Sequence, residues 1–376
     1  MRILQTVVRS YPYIGGGENY VYYLSKELAR NHEVTLICSN EPRSPHEEIV
    51  ENIRFRRLDY VGKISNTNIP LNLPFVLTRE KFDVMHTHFP TPWFSDFSAT
   101  VAKIKMRPTV LTYHNDITGD GINGYVSKIY NSTFLKILLR LVEKIIVTQE
   151  AYIERSPFLK QYIDKIEIIP AGVDTNKFKP TITRGSNGKD CPTIFFLSNL
   201  DEYHRYKGLF YLLNALKIVK RTMSDFKLIV GGKGSLIGEY KKLAKKLGIE
   251  ENVEFHGFIS NEKLASYYSY ADIFVLPSVS NEEGFGMVAL ESLACGTPVI
   301  VTDIVGVSRD LADYKAGIVV KPRDVEDLSK SIIKLINDPE GRLKMGRNGR
   351  KLVEEKYTWR EVARRTEKIY EDLTEN

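Results

Sequence analysis

Apolar positions along the chain alternate between two periods. Short continuous apolar runs mark buried strands, and between them lie stretches with apolar residues every three or four positions, which mark helices packed by one face. Ile3–Val8 reads as a strand, Glu18–Arg30 as a helix carrying Tyr20, Val21, Leu24 and Leu28 on one side, and Glu33–Cys38 as a second strand. This is a βαβ unit. Further strands are predicted at Ile53–Phe55, Asp83–His86, Thr109–Tyr113, Ile145–Val147 and Lys165–Ile168. A second series follows at Thr193–Leu197, Lys227–Val230, Val253–His256, Ile273–Leu276, Pro298–Val301 and Gly317–Val320, with helices such as Tyr206–Arg221 and Leu236–Leu247 between them. Beyond Val325 the pattern is helical to the end, closing on an amphipathic segment from Tyr357 to Leu373. Alternation of this kind predicts an α/β protein with mostly parallel sheets covered by helices on both faces.

Between the two series, Lys179–Cys191 is rich in Pro, Gly, Ser, Thr and Asn, the composition of a linker. The predicted organisation is a Rossmann-like domain over 1–178, a linker over 179–192, a second Rossmann-like domain over 193–355, and a C-terminal helix over 356–376 returning toward the first domain. A chain of 376 residues accommodates two such domains, and the cleft between them is the expected working surface.

Composition narrows the setting. Cys38, Cys191 and Cys295 are far apart and odd in number, so neither a disulfide framework nor a zinc knuckle is predicted, and a cytoplasmic location is expected. Met1–Gln5 passes straight into a strand-like run, unlike a secretory leader, and no apolar stretch approaches a membrane span. The net charge of +6 is concentrated in the first half, which suits an anionic surface or a phosphorylated lipid as well as a solvated exterior; nucleic acid is not expected as a partner. Tyr125–Val147, where Ile129, Phe134, Leu135, Leu138, Leu139 and Leu141 interleave with Lys128, Lys136, Arg140 and Lys144, reads either as core packing or as a helix making weak, peripheral contact with the inner face of a membrane.

Open parallel sheets bind ligands beyond the carboxyl ends of their strands, and this selects the candidate residues. After the first strand, Gly15-Gly16-Gly17-Glu18 opens a helix whose free N–H groups suit a phosphate, with Gly16 and Gly17 letting a ligand approach. Position 20 is Tyr and the second strand ends without an acidic residue, which disfavours a dinucleotide fingerprint. His86, His88 and His114 cluster at strand ends; a metal site lacks a third ligand at a telling spacing, and His114, beside Asp116 and the stretch Gly119–Gly124, is the residue expected to reach a substrate hydroxyl. In the second half, Arg205 and Lys207 lie before a helix, where cations are unfavourable unless an anion is present, so they are expected to clamp a diphosphate. Gly231–Ser235 lacks the spacing of an ATPase phosphate loop but suits a close backbone approach. The strongest signal is Asn281-Glu282-Glu283-Gly284-Phe285-Gly286-Met287-Val288-Ala289-Leu290-Glu291, with one carboxylate before a helix and one inside it among apolar neighbours. Glu283 can accept from sugar hydroxyls, the N–H groups of Gly286, Met287 and Val288 can face a phosphate or sugar, and Glu291 can take a ribose diol.

This last motif, with Ile168-Ile169-Pro170-Ala171-Gly172-Val173-Asp174 and the glycine loop, resembles the retaining glycosyltransferases of family 4, and the likeness runs over almost the whole chain. It implies the GT-B fold, two doubly wound domains facing across a cleft, and a UDP- or GDP-sugar as co-substrate. It also implies transfer to a lipid-linked or cell-surface glycan with retention of anomeric configuration, no cofactor and no metal. Glu291 then matches the ribose-binding glutamate, Glu283 the one at the donor sugar, and His114 the histidine between acceptor and donor. His88, His114 and Asp116 lie on the acceptor side, and Phe285 joins the donor-binding loop. Phe258, Ile259 and Ser260 fall where the family contacts the base. One departure stands out: many relatives carry Arg directly after Gly where this chain reads Ser198-Asn199-Leu200, and Arg205 is the candidate replacement. The rival readings are a sugar-nucleotide epimerase or hydrolase of the same fold, and a non-catalytic nucleotide-sugar-binding protein.

Overall fold

The computed structural model describes residues 1–376 except Ile14, Ser65, 118–120, 182–190, Asn281 and Asn376, so most of the expected linker and part of Gly119–Gly124 lie outside the described residues. The chain divides into two compact units, Met1–Ala171 with Trp359–Asn376, and Gly172–Thr358.

In the first unit the order is β1 (Arg2–Thr6), α1 (Gly16–Leu28), β2 (Glu33–Ser39), β3 (Glu47–Val50), β4 (Ile53–Leu58), β5 (Lys63–Ile64), β6 (Thr67–Asn68), α2 (Leu73–Arg79) and β7 (Val84–Phe89). There follow α3 (Phe94–Ile104), β8 (Thr109–Tyr113), α4 (Gly121–Ser132), α5 (Phe134–Leu141), β9 (Lys144–Val147), α6 (Ala151–Arg155) and β10 (Ile166–Ile168). Eight strands form one sheet in the order β10-β9-β8-β7-β1-β2-β4-β3. It is parallel except for the β3–β4 hairpin. Parallel central strands must be apolar on both faces. Accordingly Val84–Phe89 and Thr109–Tyr113 are buried throughout, His86 and His88 included.

The second unit runs β11 (Thr193–Leu197), a 3-10 turn Glu202–Lys207, α7 (Leu209–Thr222), β12 (Lys227–Gly231), α8 (Ile237–Lys246), β13 (Val253–Gly257), α9 (Asn261–Tyr270) and β14 (Ile273–Leu276). It continues with α10 (Met287–Ala294), β15 (Val299–Thr302), α11 (Ser308–Tyr314), β16 (Gly317–Val320), α12 (Val325–Ile336) and α13 (Pro339–Lys356). Its parallel sheet has the order β13-β12-β11-β14-β15-β16, the doubly wound arrangement whose direction reverses between β11 and β14. Asp324 and Asp338 accept from the N–H groups of Asp327 and Gly341, capping α12 and α13.

The boundary differs from the composition-based one. Residues 172–178, expected to end the first domain, pack in the second unit: Val173 donates its N–H to the Tyr357 carbonyl, and the Phe178 ring meets Tyr268 edge-on at 6.0 Å. The closing helix α14 (Trp359–Thr374) belongs to the first unit, where it packs on α1 and buries Val362 and Tyr370. Each such buried side chain is worth about 1.5–3 kcal/mol, enough to hold a helix whose other face is charged.

Tyr125–Val147 is not one helix. It is α4, a break at Thr133, α5 and strand β9. The hydroxyls of Ser132 and Thr133 donate back to the Ile129 carbonyl, competing with the helix ladder at the break. Leu135, Leu138 and Leu139 are core, packed with Phe89, Leu111 and Ile145, whereas Tyr125, Ile129, Phe134 and Ile137 are exposed. Among the described residues no helix is long and apolar enough to cross a membrane.

Candidate active site

At the reversal of the second sheet, two loops meet. The first follows β11 and ends at Lys207-Gly208; the second follows β14 and carries Ser278 and Glu283 into α10. Gly208 is what lets them touch. It has φ +83°, and a Cβ there would lie 2.0 Å from the Pro277 carbonyl oxygen. Val279 donates its N–H to the Tyr206 carbonyl at 2.8 Å, locking the approach. As a result the Lys207 Nζ stands 2.8 Å from both carboxylate oxygens of Glu283, and the Ser278 hydroxyl donates to Glu283 Oε2 at 2.6 Å. Glu283 is only 2% exposed, so its charge is supported from within the protein. Ser278 is fixed in turn, its carbonyl accepting from the Thr302 hydroxyl at 2.7 Å.

Gly286, at φ +83°, starts α10; a Cβ there would come within 2.4 Å of Val305 Cγ1. The helix therefore begins beside Glu283, with its first amides unpaired by the helix itself. Phe285, 6% exposed, packs on Tyr357. One turn inside the helix, Glu291 Oε2 accepts from the Tyr268 hydroxyl at 2.7 Å. Burial pushes the Glu291 carboxyl up to about 7, with the Tyr268 hydrogen bond and the nearby Lys177 charge pulling the other way. An unfolded glutamate titrates near 4.5, so the folded chain holds this proton more tightly, and folding is progressively penalised as pH rises from about 4.5 to about 7. We expect Glu291→Gln, which cannot ionise, to gain melting temperature relative to wild type across that window while losing affinity for a sugar nucleotide. A gain that shrinks as pH rises would contradict the assignment.

Arg205 is placed elsewhere. Its guanidinium is taken by Glu202, at 2.5 and 3.0 Å, and by Glu239, at 2.8 and 2.7 Å, on the exposed surface, so the structure does not bring it to the Lys207–Glu283 pair. Gly232 and Gly234, at φ +124° and +156°, approach the carbonyls of Ser198 and Leu200, where a Cβ would come within 1.7 and 2.0 Å. The glycine loop thus makes its close approach to the chain's own backbone. Ile259 is buried beneath it, while Phe258 is exposed with Lys233 Nζ 5.3 Å from its ring centre.

In the first unit, His86, His88 and His114 gather at the ends of β7 and β8. His86 lies between the Tyr370 hydroxyl, 2.5 Å from Nδ1, and the Thr112 hydroxyl, 2.7 Å from Nε2. His88, 1% exposed, has Nε2 2.8 Å from the Gln5 carbonyl oxygen and Nδ1 3.4 Å from His114 Nε2. Only His114 of the three is partly open. Burial lowers all three, His86 to about 3, His114 to about 4 and His88 well below its usual value, so the rings are neutral at pH 7. Asp116 acts as an anchor, its Oδ1 accepting from Tyr113 at 2.5 Å and Ser156 at 2.8 Å. Beside Gly16 and Gly17 the space is open, since a Cβ at either would meet nothing within 4 Å. Among the described residues no group of three or more His, Cys, Asp or Glu side chains is placed to hold a metal ion.

Several residues that build these sites carry no spacing signal. Ser278, Tyr268, Gln5 and Tyr20, whose ring meets His114 edge-on at 5.0 Å, come to their partners only through the tertiary fold. The Gly208 turn alone was within reach, as a glycine directly after the candidate residue Lys207.

Known proteins share this pattern. The family described as Glycosyl transferases group 1 matches residues 181–352, and Glycosyltransferase Family 4 matches residues 14–177. An uncharacterised glycosyltransferase of Methanocaldococcus jannaschii is 30% identical over 313 residues, covering 78% of this chain and 76% of its own. The O-antigen chain mannosyltransferase C of Escherichia coli is 28% identical, covering 95% of each. Among solved structures, the sucrose-phosphate synthase of Thermosynechococcus elongatus aligns with a TM-score of 0.77 at 24% identity, over 99% of this chain and 98% of its own. Anabaena HepE in complex with UDP aligns at 0.76 with 18% identity, over 99% of this chain and 100% of its own.

Proposed function

The chain belongs to glycosyltransferase family 4, and on that premise we propose that it moves a sugar from a UDP- or GDP-sugar to a hydroxyl of a lipid-linked or cell-surface glycan, with retention and without a metal. The observation that carries the reading is the Lys207–Glu283 pair beside the N-terminus of α10, at the reversal of a doubly wound sheet. Lys207 and the α10 amides stabilise the departing diphosphate, Glu283 holds the donor sugar by its hydroxyls, and Glu291 takes the ribose. His114 orients the acceptor hydroxyl, while a donor phosphate oxygen receives its proton as the anomeric carbon is attacked from the leaving-group face. The relatives' names favour such acceptors: one is a phosphatidylinositol monomannoside mannosyltransferase of Mycolicibacterium smegmatis that depends on GDP-mannose.

A thermal-shift screen of nucleotide sugars tests the donor. The right one, at 100 times its dissociation constant, stabilises the fold by roughly 2.7 kcal/mol. No shift with any UDP- or GDP-sugar removes the reading, and release of free or isomerised sugar from donor alone favours an epimerase or hydrolase. A lipid-linked acceptor also calls for a weak surface contact, for which the exposed Tyr125, Ile129, Phe134 and Ile137 beside Lys128, Lys136 and Arg140 are suited. Co-sedimentation with anionic vesicles at low salt is the expected result, lost at high salt; no sedimentation at either would exclude it.

A further inference from the structure

We propose that Gln5 and His88 are positioning residues that fix the tautomer of His114. The Gln5 carbonyl holds the His88 proton on Nε2, the bare Nδ1 of His88 accepts from the Nε2–H of His114, and His114 Nδ1 is left as an acceptor for a substrate hydroxyl. The inference rests on the reading of His114 as the residue that orients that hydroxyl.

A neutral imidazole has one N–H and one lone pair, so in a chain of such rings each must donate at one nitrogen and accept at the other. The polarity of the whole chain then follows from its first member. Here the geometry is that of a chain: the His88 and His114 rings are nearly parallel, at 14°, with centres 5.6 Å apart and their facing nitrogens at 3.4 Å, so they meet edge to edge within a common plane. His86 stacks on His88 at 4.6 Å, but its nitrogens face Tyr370 and Thr112, so it lies outside the chain. Burial keeps the rings neutral, so each holds one lone pair, and the hydrogen bonds to Gln5 and between the rings leave that of His114 on Nδ1, where it can accept from a hydroxyl.

Gln5 heads the chain and can present it with either a donor or an acceptor, according to how its amide is turned. It is fully buried in β1 with its carbonyl toward His88, and its side-chain amide nitrogen has no partner among the described residues. Turning the amide over would make it donate to His88 Nε2, reverse both rings and put the proton on His114 Nδ1. One side chain, joined to His114 only through His88, therefore decides whether His114 accepts or donates.

The test is the tautomer itself, read from long-range proton–nitrogen correlations of the full chain labelled with 15N-histidine, with the His114 signals assigned by their loss in His114→Gln. Wild type is expected to carry the proton on Nε2 of both His88 and His114. Gln5→Leu should turn His114 into a tautomer mixture and lower kcat about tenfold with donor KM within about twofold. A wild-type His114 protonated on Nδ1 overturns the proposal whether or not the variants fold, as does a Gln5→Leu chain with an unchanged tautomer. If the tautomers are as stated but His114→Gln keeps full turnover, the hydroxyl contact fails while the chain of hydrogen bonds stands.

Discussion

Lys207→Ala is expected to lower kcat/KM by about 100-fold or more, a barrier of roughly 2.7 kcal/mol. Lys207 is the cation that the fold delivers to the reversal point of the second sheet, held at 2.8 Å from both oxygens of Glu283. That carboxylate matches its charge in the free chain, and on the proposed reading the same ammonium steadies the negative charge that grows on a bound diphosphate as the sugar leaves. The loss should fall on kcat as well as KM, because the charge on the leaving group is larger in the transition state than in the bound donor. The variant also strips a buried carboxylate of its counter-ion, a change that costs about 3–5 kcal/mol of stability when a buried pair is broken on one side. Turnover should therefore be measured at a temperature where circular dichroism shows the variant folded. Turnover within about twofold of wild type, below roughly 0.5 kcal/mol of barrier, would dismiss the role of Lys207.

Gly208→Ala should be nearly as damaging although it removes no functional group. Any side chain at φ +83° is strained by about 1–3 kcal/mol. The added Cβ would also meet the Pro277 carbonyl at 2.0 Å, and a backbone oxygen cannot swing aside as a side chain can. The two loops must separate, and the Lys207–Glu283 contact separates with them. We expect a loss of about 3 kcal/mol in chemical denaturation together with an activity loss approaching that of Lys207→Ala. A variant that kept wild-type stability would show that the close approach of these loops does not matter to the fold.

How much of this was legible in the sequence follows from what each feature depends on. Every strand predicted from an apolar run is present, and central ones such as β7 and β8 were the plainest, because a parallel strand buried on both faces writes its burial directly into consecutive residues. The hairpin strand β3 was missed, since Glu47–Val50 lies at the sheet edge and exposes Glu47 and Ile49. The helix predicted from Tyr206 begins at Leu209, because the left-handed Gly208 breaks the turn that precedes it. Charge placement was the least legible. Arg205 and Lys207 are two residues apart and look alike in sequence, yet one points to Glu202 and Glu239 on the surface and the other to Glu283 in the interior. Residues two apart on a tight turn face different ways, and only the tertiary partners decide which of them meets a ligand. The same holds for the histidines: their clustering was visible, but the Gln5 and Tyr370 contacts that set their protonation depend on strand register and on the C-terminal helix.

Backbone hydrogen exchange of the full chain, with and without a saturating nucleotide sugar, addresses the donor site most directly. Slowed exchange should concentrate at Lys207-Gly208 and at Glu283 through Val288, where the cation and the first amides of α10 are proposed to grip the diphosphate. Protection of other segments, with α10 and its approach loop exchanging as fast as in the free chain, would contradict it.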